Sequence, residues 1–180
     1  MKATIESVFR VRPDVFWDRL FFDAEYNAGL YRALAFESYE VLSLVRHDDG
    51  RIERKLRAEP PLSGPELLKR QLRGRIYYVE EGSYDPTRGV WTFVNRTSVA
   101  AGTTQVSGVI EAKPHADGML HVVELDVRVS ALGLGSLVER AIEKSTRESY
   151  RVTTAYTNTF AERHGLLAVS MQSAINTPVP

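Results

Sequence analysis

The sequence predicts an α+β domain: a curved, seven-stranded antiparallel sheet wrapped around a long C-terminal helix, with two short helices after the first strand. Two observations carry this prediction. Residues 134–164 hold apolar positions at i, i+3, i+4 and i+7 spacing over a length that would cross a whole small domain, about 45 Å at 1.5 Å per residue. Between residues 37 and 130, three turn signals divide the chain into paired strands. A run of hairpins flanked by helices has one obvious way to bury its inner face, which is to close on the long helix.

The elements follow in order. Ile5, Ser7, Phe9 and Val11 alternate with Thr4, Glu6, Val8 and Arg10, and this period of two predicts a strand over Thr4 to Val11. Pro13 opens a short helix from Asp14 to about Phe22, where its missing N–H costs nothing. Asp23 can cap a second helix from Ala24 to Leu34. His47-Asp48-Asp49-Gly50 predicts a hairpin between strands near 38–46 and 51–59, because Asp-Gly accepts the backbone angles of a tight turn. Asp85-Pro86-Thr87-Arg88-Gly89 joins strands near 75–84 and 90–97, and His115-Ala116-Asp117-Gly118 joins strands near 103–113 and 119–130.

Between the first two hairpins, residues 60–74 form a long connection carrying Leu67, Leu68 and Leu72 beside Lys69, Arg70 and Arg73. Such a loop is expected either to cap the core or to act as a lid that touches an anionic bilayer transiently. The long helix is introduced by Gly133-Leu134-Gly135-Ser136, with Ser136 as the expected N-cap and Glu139 completing a capping box. Its apolar stripe includes Ala141, Ile142, Val152, Tyr156 and Phe160, and thins at Ser145 and Ser149. That thinning predicts a close backbone approach or an unfilled space. Residues 165–180 lack sustained charge or periodicity and are expected to be a mobile tail after a single domain of residues 1–164.

Composition excludes several functions. At 180 residues the chain can bury roughly 70% of its unfolded surface and needs no disulfide or metal staple. Its 23 Lys plus Arg balance 23 Asp plus Glu, so the overall charge gives no argument for nucleic acid and none is expected as a partner, with local basic clusters left open. With no cysteine there is no thiol catalysis or thiolate metal site, and the lack of a signal-peptide pattern makes the cytoplasm the expected location.

The element order, with Leu132-Gly133-Leu134-Gly135-Ser136-Leu137-Val138-Glu139 leading into the terminal helix, resembles the START-like, or helix-grip, superfamily (SRPBCC), which includes polyketide cyclases and lipid-transfer domains. Residues Val129 to Tyr150 and the opening Phe21-Phe22-Asp23-Ala24-Glu25-Tyr26 are also similar to its sterol-binding VASt branch and to uncharacterised bacterial relatives. The resemblance covers residues 1 to about 164. It implies a cavity between sheet and helix that receives an apolar ligand.

Strand parity supplies the candidate site. Ile52, Leu56 and Ala58 share an inner face with Arg54, and Glu80 can pair with Arg54 if it too points inward; the register of residues 75–84 leaves that open. Asn95 and Gln105 are expected to offer polar contacts. Tyr78, Trp91, Phe93, Val106, Ile110, Val123 and Val127 are expected to line the cavity opposite Val138, Ile142, Ser145, Ser149 and Val152. His47, His115, His121 and His164 read as exposed turn, strand-start or helix-end residues, and no metal or cofactor is expected. No HExxH, Walker A, GxSxG or GxGxxG pattern is present.

The leading expectation is non-enzymatic binding of a lipid or other hydrophobic molecule, with transfer as its extension and with Arg54, Asn95, Gln105 or Ser149 orienting a polar head. The alternative is a polyketide cyclase or aromatase using the same cavity, against which the lack of an inward histidine counts. A third class is a partner-binding module with a filled core.

Overall fold

The computed structural model describes residues 1–61, 76–98, 104–129 and 135–168, and of residues 135–138 only the helical backbone. The order is β1 (Lys2–Phe9), α1 (Pro13–Val15) running into a π turn (Phe16–Leu20), α2 (Ala24–Ala33), β2 (Ser38–Arg46) and β3 (Ile52–Glu59). Then come β4 (Tyr78–Asp85), β5 (Val90–Thr97), β6 (Thr104–His115), β7 (Gly118–Val129) and α3 (Gly135–Arg163). One antiparallel sheet holds all seven strands in the order β1-β7-β6-β5-β4-β3-β2.

Each predicted hairpin forms. The first strand then crosses to pair with the last, placing Ile5 opposite Val123 and Phe9 opposite Met119. The inner face buries Ile5, Phe9, Met119, Val123 and Val127 in one core with Phe160 and Ala161 of α3. The predicted parity of β3 holds, with Ile52, Arg54, Leu56 and Ala58 all buried. At the open β2 edge a bulge lies between Val41 and Ser43, a common device for blunting an unpaired strand.

Four sequence expectations need correction. The helix expected over Asp14 to Phe22 is one turn of α helix followed by a π turn, with the Phe21 N–H donating to the Phe16 carbonyl at 2.9 Å. Widening the turn lets Phe16, Trp17 and Leu20 all face the core.

The buried face of α3 keeps most of the expected stripe but departs from it at Val152 and takes in threonines. Val152 is 39% exposed, whereas Thr157 is fully buried. Threonine hydroxyls satisfy themselves within the helix: Thr153 donates to the Ser149 carbonyl at 2.9 Å and Thr157 to the Thr153 carbonyl at 2.7 Å. Polar residues bonded in this way can sit in a core, and a pattern built on apolar residues passes over them.

The chain beyond α3 also folds back further than residue 164. Leu166 and Leu167 pack on the core, and the Ala168 N–H donates to the Arg10 carbonyl at 2.8 Å. The rest of the expected tail and most of the 60–74 loop lie outside the described residues, and because the backbone is already helical at Gly135, Ser136 lies within α3 and is not its N-cap.

Candidate ligand cavity

The sheet's inner face is built to bring large rings close to the backbone. Gly82 lies beneath the Trp91 indole, and Gly108 beneath the Phe93 ring, where an added Cβ would stand 2.2 Å and 2.6 Å from ring atoms. Glycine within a strand commonly marks such an approach. Trp91 is fully buried against Phe21 and Phe22 at centroid distances of 5.3 and 5.6 Å, which closes one end of the interior.

Above these rings, between the sheet, α2 and α3, is a cavity of about 330 Å³. Its walls come from the aromatic rings of the π turn, from α2, from the inner face of β3–β7 and from residues 141–153 of α3. Pro60, Pro61 and Ile76 border it where the chain enters and leaves the 62–75 segment.

Nine of the expected site residues line the cavity: Arg54, Tyr78, Phe93, Asn95, Val106, Ile110, Ile142, Ser145 and Ser149. The others do not. Val123 and Val127 are fully buried on the inner face but belong to solid core, as does Trp91. Gln105 sits on the outer face, exposed, in register with Arg96 and Arg128. Its neighbours Thr104 and Val106 are the buried ones, so an inward Gln105 is excluded by period-two geometry. The side chain of Val138 lies outside the described residues.

Glu80 does point inward. Its Oε1 accepts from Nη2 of Arg54 at 3.1 Å, and Nη1 of Arg54 donates to the Phe21 carbonyl at 3.0 Å. The guanidinium also lies 4.6 Å from the Phe21 ring centroid and 5.1 Å from that of Trp91. Burial works to lower the Arg54 pKa, but the Glu80 carboxylate and the phenols of Tyr31 and Tyr39 outweigh it, and the net direction is up. Arg54 is thus charged and paired through both terminal nitrogens, while its buried Nε has no hydrogen-bond partner among the described residues. Its charge is balanced by Glu80, and of the nitrogens expected to orient a ligand's head group only Nε is left without a partner among the described residues.

The sequence also missed polar groups on the wall. Tyr31 of α2 and Tyr150 of α3 join Tyr78, and burial raises the pKa of all three phenols, so they stay neutral. His121, expected at an exposed strand start, is 3% exposed on the cavity wall. It stacks on Phe9 at 4.5 Å and lies 5.5 Å from the Tyr150 ring. Burial pushes its pKa down to about 3. A signal was present in the sequence, because His121 shares parity with Met119 and Val123. Asn95 stands directly opposite Glu80. Among the described residues, neither its buried Oδ1 nor Nδ1 of His121 has a hydrogen-bond partner.

Comparison with known proteins gives a family and a fold. The family described as "Protein of unknown function (DUF2505)" matches residues 5–160. No match was found among curated proteins. Among solved structures, the chain is similar to the Zhui aromatase/cyclase from Streptomyces sp. R1128, with a TM-score of 0.60 and 14% identity over 92% of this chain and 94% of that one. A protein from Thermus thermophilus, TTHA0849, gives 0.61 and 17% identity over 88% and 95%. A START superfamily protein from Mycobacterium smegmatis gives 0.55 and 15% identity over 91% and 97%. At these identities the likeness establishes the helix-grip fold.

Proposed function

The chain belongs to the DUF2505 family, and we propose that it binds, and can carry, a hydrophobic small molecule or lipid in the cavity between the sheet and α3. The observation that supports this reading is the cavity itself. It is large enough for a small molecule, walled mainly by apolar and aromatic side chains, and supplied with a few polar groups that lack partners among the described residues. A core designed only for stability would be filled to close packing there.

Residues 1–164 act on this reading as the ligand-binding domain of a cytoplasmic protein. Entry lies beside Pro60, Pro61 and Ile76, so that the 60–74 segment would meet an anionic bilayer during loading. The test is native mass spectrometry of gently purified protein, with extraction and identification of any bound molecule, combined with titration of the neutral fluorophore 1-aminoanthracene. Absence of both a co-purified molecule and saturable fluorophore uptake would sink the proposal.

One observation favours a second reading, that of a cyclase or aromatase. His121 is the inward histidine such chemistry could use, and Tyr150 and Glu80 share the same cavity. Against it, a histidine titrating near 3 is a weak base at neutral pH. Incubation of a linear poly-β-ketone with the protein, followed by mass spectrometry, decides the matter. A cyclised product that disappears in His121→Phe would support the enzyme.

A further inference from the structure

The polar groups of the cavity wall say what kind of head group it accepts. This inference rests on the ligand-binding reading above. Among the described wall residues the guanidinium of Arg54 is the one fixed positive charge, and that charge is already balanced: Nη2 meets Glu80, Nη1 meets the Phe21 carbonyl and aromatic rings cover it, leaving only Nε without a partner. The pair it forms with Glu80 is neutral overall. Oε2 of Glu80 receives none of the hydrogen bonds formed among the described residues, which leaves an acceptor with negative character on the wall.

Directly across the β4–β5 ladder from Glu80 is Asn95, with its amide oxygen buried and unpartnered among the described residues. Toward β7 is the imidazole of His121, nine-tenths buried or more and likewise without a partner at Nδ1. Burial keeps it uncharged at neutral pH, so it offers one donor and one acceptor. The phenols of Tyr31, Tyr78 and Tyr150 are neutral for the same reason.

A buried anion in this enclosure would find no unpaired cation among the described residues and would face a carboxylate oxygen. Such a charge is costly to desolvate. A hydroxyl can donate to Glu80 Oε2 or Asn95 Oδ1 and can both donate to and accept from a neutral imidazole. Each match repairs a polar group that is otherwise left unsatisfied.

We propose that the cavity selects uncharged, hydroxyl-bearing hydrophobic molecules, alcohols or phenols held at Glu80 and Asn95 or at His121, and excludes the carboxylates of the same skeletons. The ligand class is therefore neutral, and fatty-acid or other anionic amphiphiles are outside it.

The experiment is displacement of bound 1-aminoanthracene at pH 7.5 by matched pairs, 1-dodecanol against dodecanoate and 2-naphthol against 2-naphthoate. The alcohol or phenol of each pair should bind roughly tenfold or more tightly than its carboxylate. Equal or tighter binding of the carboxylates overturns the inference while leaving the cavity reading intact. If the fluorophore itself is not taken up, the cavity reading falls and the inference falls with it.

Two variants address the residues. Asn95→Leu and His121→Phe, each checked for cooperative unfolding, should narrow the ratio within each pair, whatever their effect on fluorophore affinity. A third, Asn95→Asp, adds a negative charge at the same place and should widen it. A ratio unmoved in all three variants would overturn the assignment.

Discussion

The Arg54 guanidinium and the Glu80 carboxylate, carried by neighbouring strands, meet at 3.1 Å with side chains only 6% and 13% exposed. Both partners lie inside the sheet's curvature, so each neutralises a charge that the other could not leave buried alone. Glu80→Leu should therefore cost about 3 kcal/mol, because it strands the guanidinium. The double variant Arg54→Met with Glu80→Leu should recover most of that loss. Urea unfolding of the four proteins in a double-mutant cycle measures it. Equal losses in the single and double variants would refute the pairing argument.

His121 makes stability depend on pH with a definite sign. Its folded pKa, about 3, lies below the ordinary histidine value of 6.5, so the unfolded chain binds a proton that the folded chain refuses. Between those two values stability rises with pH, and it is lost as pH falls, at about 1.4 kcal/mol per unit from this group. Denaturation curves from pH 7 to pH 4 should show a shallower acid-side decline in His121→Phe than in the parent protein. Parallel declines would place the imidazole in contact with water.

Ser149 lies on the α3 wall of the cavity. Replacing it with Phe should put a ring into open volume, reducing 1-aminoanthracene affinity at least tenfold. Because no packed neighbour is displaced, the stability change should stay below about 1 kcal/mol; a filled core would instead lose about 1–3 kcal/mol. Thermal unfolding and fluorescence titration on the same samples separate the two cases.

Ala35 follows α2 at a φ of 56°, a left-handed conformation. The Phe36 N–H donates to the Tyr31 carbonyl and the Ala35 N–H to the Arg32 carbonyl, both at 3.0 Å, and the Tyr31 and Phe36 rings meet at 5.0 Å. This is the glycine-type helix end with alanine in the glycine position. Ala35→Gly should relieve the Cβ clash, less some added freedom in the unfolded chain, and stabilise by roughly 0.5–1 kcal/mol. A lower urea midpoint in the variant would contradict the strain argument.

Local chemistry within the sequence was enough to specify the hairpins, the inward face of β3 with Arg54 upon it, the capped α2 and the long final helix. Asp-Gly turns, period-two alternation and a helical stripe each act over a few residues, so they can be read without knowing what packs where. The tertiary structure decided the rest. Parity can assign Val123, Val127 and Phe93 to one face, but only the sheet's curvature determines that the first two enter solid core while the third borders a hollow. Tyr31, His121 and Tyr150 come together from α2, β7 and α3, elements far apart in the chain. Thr153 and Thr157 sit inside because their hydroxyls bond to their own helix. The cavity and the charge states of its described wall residues are products of that assembly: burial sets the charge state of His121, and the pairing of β3 with β4 balances the charge of Arg54.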